Sequence, residues 1–156
     1  MEEARNRLIE RFEFTNNIFQ LLLIALLLVS IIAILYTLFG FSKFSKNEKT
    51  GLPIMCIFAV AMFLLFSFLT HPMRKDNEYL KCNEPIYIEG ELIGFADEWV
   101  DETGISSRKY SPIIRINGTD EEITLNVTNS EERMKIGETY EILYLPNTKI
   151  AEIIEK

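Results

Sequence analysis

The densest group of chemically capable side chains runs from Ala96 to Gly104, where Asp97, Glu98, Asp101 and Glu102 surround Trp99, the chain's single tryptophan. Carboxylate oxygens suit hard cations such as Ca²⁺, but this spacing lacks the alternating ligands and closing bidentate Glu of an EF-hand loop. Two other readings stay open: a solvated hairpin loop, and a partner-binding tip with Trp99 as anchor and Asp97, Glu98, Asp101 and Glu102 as its polar rim. His71, the only histidine, stands against Pro72 and reads as a helix-end contact. With Cys82 it falls short of the four donors that structural zinc sites use. Cys56 lies inside an apolar run and Cys82 beyond it, so no disulfide framework follows. The sequence has no Walker A loop, GxGxxG, HExxH, paired CxxC or nucleophile elbow. The expectation is a protein that is not an enzyme and takes no cofactor or metal.

The elements that must carry these residues are of two kinds. Ile18 to Phe39 carries no charge, and at about 1.5 Å per residue such a run spans the roughly 30 Å hydrocarbon core of a bilayer. Insertion of so many Leu and Ile residues is favourable by about 5–10 kcal/mol. A second uncharged run, Leu52 to Thr70, has Pro53 near its start and His71-Pro72 at its end. Between them Gly40, Gly51 and the lysines Lys43, Lys46 and Lys49 mark a loop. A short loop predicts an antiparallel hairpin with both ends on one side. The runs lack Asp, Glu, Lys, Arg and His, so an anchor is expected rather than an ion or proton path.

Ahead of the first run, residues 1–17 mix acids and arginines with Leu8, Ile9 and Phe12, a pattern that predicts a short amphipathic helix at the membrane surface. Glu2 and Glu3 spoil the cationic start of a signal peptide, so the segment is expected to be retained. Arg5, Arg7, Arg11, Arg74, Lys75 and Lys81 on the outer flanks outnumber the loop lysines, which predicts both termini in the cytoplasm of a multi-pass cell-membrane protein.

The formal net charge of -7 comes from the C-terminal half. Such a surface repels phosphate backbones, which excludes nucleic acid as a partner. After a linker over 71–84, residues 85–156 form β-prone runs separated by turns. Ile86 to Phe95 makes a first strand, with Gly90 and Gly94 as bulges or bends. Tyr110 to Ile116 leads into Asn117-Gly118, a hairpin dipeptide. Glu122 to Val127 alternates, placing Ile123, Leu125 and Val127 on one face. TYEILYL after Gly137 and IAEII after Pro146-Asn147-Thr148 complete five strands. The predicted fold is a membrane α-helical hairpin (18–39, loop 40–51, 52–70) plus a small all-β barrel of the SH3-like or OB-like kind.

The order Tyr110-Ser111-Pro112-Ile113-Ile114-Arg115-Ile116, a turn with Gly118, Ile136-Gly137-Glu138 and Tyr144-Leu145-Pro146-Asn147 leading to Ala151 resembles the bacterial membrane-protein family of domain of unknown function 3592. The resemblance covers about residues 88–154 and implies a fold and a membrane setting; no reaction travels with it. The expected function is a non-enzymatic module held at the membrane surface, with the lipid bilayer and another protein as partners and a homo-oligomer left open. The alternative is a helper in membrane quality control or envelope defence, an NfeD-like accessory or a toxin-immunity protein.

Overall fold

A computed structural model describes residues 1–40, 48–100, 107–119, 121–128 and 130–154. The chain divides into two compact units, Met1–Glu13 with Met73–Lys156, and Phe14–Pro72.

The second of these is helical. Helix α1 (Glu2–Gly40) enters it at Phe14, and α2 (Glu48–Leu69) follows, taking in the end of the loop expected over 40–51. Contacts run in opposite chain directions. The Phe19 and Phe66 rings stack at 5.6 Å, the Ser30 hydroxyl reaches the Ala59 carbonyl at 3.3 Å, and Cys56 Sγ lies 3.2 Å from the Ala33 carbonyl and 3.0 Å from Thr37 Oγ1. Small residues at Ser30, Ala33 and Ala59 let the two backbones approach, as in membrane helix pairs. Ser30 and Thr37 also return their hydroxyls to the carbonyls of Leu26 and Ala33. Beyond Leu69 the helix breaks at Thr70, whose N–H and hydroxyl both turn back on the Phe66 carbonyl, just ahead of Pro72, which has no N–H to continue the ladder.

Helix α3 (His71–Leu80) then occupies most of the stretch expected as a linker over 71–84. Its polar sequence hides it, because the face it buries is held by the carboxylate of Asp76 together with Met73 and Leu80.

The sheet unit is built on β1 (Ile86–Val100), which pairs along its first part with β5 (Thr139–Tyr144) and along its second with β2 (Ser107–Ile116), both antiparallel. A register shift between Leu92 and Gly94 bends β1 where it changes partner. Gly90 is needed for close approach: a Cβ there would stand 2.5 Å from both the Arg115 carbonyl and Ile114 Cγ2. β3 (Glu122–Thr124) pairs with β2, whereas β4 (Asn126–Val127) pairs in parallel with β6 (Ile150–Ile153), itself antiparallel to β5. The strand order is β3-β2-β1-β5-β6-β4, so its first and last members are consecutive pieces of one extended segment. Leu125 joins them, its N–H donating to the Pro112 carbonyl while the Asn126 N–H donates to Lys149. The sheet thus curls until its ends share Leu125. A short helix α4 (Ser130–Arg133) links β4 to β5. Six strands replace the five expected because the Glu122–Val127 segment changes partner at Leu125.

Inside lie Leu92, Ile114, Leu125, Ile142 and Ala151, among others. The opposite face of β5 and β6 is covered too. Ala4, Leu8 and Phe12, one turn apart on α1, bury themselves against Leu143, Leu145 and Ile150. The expectation that the residues 1–17 segment lies on a membrane surface is corrected over its first turns. Its apolar stripe is amphipathic as read, but a doubly buried strand pair offers it a protein partner.

Candidate functional site

The acidic segment around Trp99 is placed in part. Ala96 to Val100 belong to β1, with Asp97 opposite Tyr110, Glu98 opposite Lys109 and Trp99 opposite Arg108 in the β1–β2 register. The loop reading of these positions is therefore corrected to strand, because β2 begins at Ser107 and extends the ladder. Asp97 is exposed. Asp101 and Glu102 lie outside the described residues. β1 runs on past Glu91, its last partner position on β5, and is paired from there to Val100 with β2 alone among the described residues.

Two polar clusters that reading the sequence did not single out hold the sheet unit together. The first is Asp76, fully buried. Its Oδ1 accepts from the Asn147 N–H at 3.0 Å and from Asn147 Nδ2 at 2.7 Å, and its Oδ2 from the Thr148 N–H at 2.7 Å and hydroxyl at 2.6 Å. These donors belong to the β5–β6 turn, in which Lys149 holds the left-handed conformation with φ 59°. A buried carboxylate is costly unless its lone pairs are satisfied, and here four donors satisfy them.

The second is Glu152 on β6, buried to 5% exposure. Arg133 Nη2 meets its Oε1 at 3.0 Å and Arg7 Nε stands 3.3 Å from the same oxygen. Arg11 donates to the carbonyls of Asn126 and Ala151 and, at 2.9 Å, to Asn126 Oδ1. Burial pulls the Arg11 guanidinium below its ordinary pKa, Glu152 works against that, and Arg133 adds to it. Arginine remains a cation through such a shift at neutral pH. The arginines read from the sequence as topology signals thus also clamp the N-terminal helix to β4 and β6.

No family model, curated protein or solved structure matches the chain. The chemistry must be read from the residues themselves. Among the described residues no group of three His, Cys, Asp or Glu is placed to hold a metal ion. His71 is exposed at the start of α3, and Cys56 and Cys82 are both free thiols.

The remaining surface with a physical demand is the helical unit. α1 is long and apolar enough to span a membrane, and only 6% of its most apolar window is buried. Leu21, Ile32, Phe58 and Phe68 are each at least 64% exposed. Exposed apolar surface of this extent marks a contact with another protein or with a membrane. Cys56–Leu69 reaches that length only together with His71–Leu80, from which it is bent by 40°. Between α1 and α2 an apolar groove of about 510 Å³ is walled by residues such as Leu26, Ala33, Phe58 and Met62.

Proposed function

We propose that this chain is a non-enzymatic, two-pass membrane protein that presents a small OB-like barrel as an interaction module at the membrane surface. One observation carries the reading. Met1–Glu13 and Met73–Lys156 fold into one unit, so both must lie on the same side of any membrane that the intervening apolar residues cross. This supports an even number of crossings, with α2 returning what α1 takes across. The exposed apolar side chains of both helices support the same conclusion.

The OB-like reading rests on connectivity: a long, bent first strand shared by both halves of the sheet, a helix between the third and fourth extended segments, and a parallel pair between the third and the last. An SH3-like barrel lacks that combination. The motif order on β2, at Ile136-Gly137 and at the exit of β5 supports kinship with the family of domain of unknown function 3592. The flanking Lys and Arg residues support a cytoplasmic placement of both termini. The protein partner is assigned to the β1–β2 ribbon with Asp97, Glu98 and Trp99 and to Asp101 and Glu102 beyond it. The second reading, an NfeD-like accessory or toxin-immunity protein, draws on the same combination of membrane helices and an OB-like domain.

Alkaline carbonate extraction of membranes, followed by labelling of Cys82 with an impermeant thiol reagent in a Cys56→Ser background, tests the proposal. Retention in the membrane, with labelling only after permeabilisation, is expected. Release by carbonate refutes the anchor. Labelling of intact cells refutes the cytoplasmic placement and favours the envelope-defence reading.

A further inference from the structure

Between the first turns of α1 and the end of α3, wholly inside the sheet unit, lies a cavity of about 210 Å³. Its lining includes the polar residues Arg5, Glu13, Asn77 and Lys81 and the apolar Phe12 and Leu80. The volume is below that of pockets that enclose whole drug-sized ligands, so it suits a small polar group attached to something larger. Arg5 pairs with Glu84 at 3.3 Å, but both side chains are well solvated, and such a pair exchanges partners at little cost.

With Arg5 released from Glu84, Arg5 and Lys81 beside Glu13 match a phosphate diester that carries a primary ammonium. The surroundings narrow the choice further. All but one of the chain's acidic residues belong to this unit, so it repels strongly anionic lipid. Glu13 is followed directly by Phe14, where the apolar unit begins. We propose that this cavity binds the headgroup of a zwitterionic aminophospholipid of the phosphatidylethanolamine type, with the phosphate on Arg5 and Lys81 and the ammonium on Glu13. The inference rests on the membrane reading above.

The test uses the full chain. Release by alkaline carbonate would end the membrane reading itself, independently of any lipid preference. The protein is then reconstituted in vesicles of equimolar phosphatidylethanolamine, phosphatidylglycerol and phosphatidylcholine, re-extracted in mild detergent, and its co-purified lipid quantified. Phosphatidylethanolamine is expected to be enriched about fivefold over each of the others, the selectivity that one solvated charge pair supplies. Glu13→Gln should abolish that preference, and Lys81→Gln should lower the recovery of all bound phospholipid. The wild-type ratio is decisive by itself, so a variant that fails to fold does not rescue the proposal. Equal recovery of the three lipids or an excess of phosphatidylglycerol overturns it. So does displacement of the bound lipid by inorganic phosphate alone, which would make the site one for the free anion.

Discussion

Replacing Asp76 by Ala removes the one acceptor shared by four donors of the β5–β6 turn. Each hydrogen bond to a charged group contributes about 1.5–3 kcal/mol, but the four share one carboxylate and do not add. Removing the charge also relieves its desolvation, so the net loss is set mainly by the donors left buried, about 3–5 kcal/mol. Asp76→Asn distinguishes this from a packing effect. An amide can keep its oxygen toward both Asn147 donors and turn its NH₂ toward Thr148, whose hydroxyl can accept while its backbone N–H cannot. Only one contact turns repulsive, and the loss falls to about 2 kcal/mol. Amide hydrogen exchange on the full-length protein reads both variants, through the N–H groups of Asn126, Leu145 and Lys149, which the turn orders. Their exchange should rise roughly a hundred- to several-thousandfold in Asp76→Ala and clearly less in Asp76→Asn. Exchange within about threefold of wild type, or an Asn variant as labile as the Ala variant, would refute the reasoning.

Leu8→Ala opens a cavity in the cluster with Leu143 and Leu145 and should cost about 3 kcal/mol, seen as faster tryptic cleavage at Arg7 and Arg11. Glu152→Gln leaves Arg7 and Arg133 facing a neutral group in a buried site; a loss of about 3 kcal/mol is expected in urea titrations. Gly90→Ala forces a Cβ against the Arg115 backbone and should destabilise by about 2–3 kcal/mol, whereas Gly94→Ala, with nothing within 4 Å, should stay within about 1 kcal/mol. Burial raises the Tyr140 and Tyr144 phenols above their usual value; for Tyr140 the Lys135 N–H opposes this and Glu138 reinforces it. The unfolded phenols then lose their protons first, so stability holds below about pH 10 and falls as pH rises above it. Tyr140→Phe should flatten that decline in thermal melts recorded at increasing pH.

The two long apolar helices and the core strands were legible because they follow from side-chain hydropathy alone, whereas polar α3 and the outer part of β1 were not. A long uncharged run such as Ile18 to Phe39 suits a helix, and the alternation of Ile123, Leu125 and Val127 suits an extended segment with one face inward. Asn117-Gly118 was readable as a turn for a similarly local reason: Gly118 adopts φ 81° at no steric cost. What the sequence could not disclose is who faces whom. Asp76 lies 71 residues from Asn147, and nothing in HPMRKDNEYL says that a carboxylate rather than a leucine will close that helix onto the sheet. Glu152 looks like an outward residue of a strand until Arg7 and Arg133 converge on it from α1 and α4. The stripe of Leu8 and Phe12 determined that the first turns would bury one side, and the pattern alone pointed to a membrane surface. Only the tertiary structure decided for protein, because β5 and β6 present a second apolar face that the N-terminal helix covers together with Met73 and Leu80 of α3.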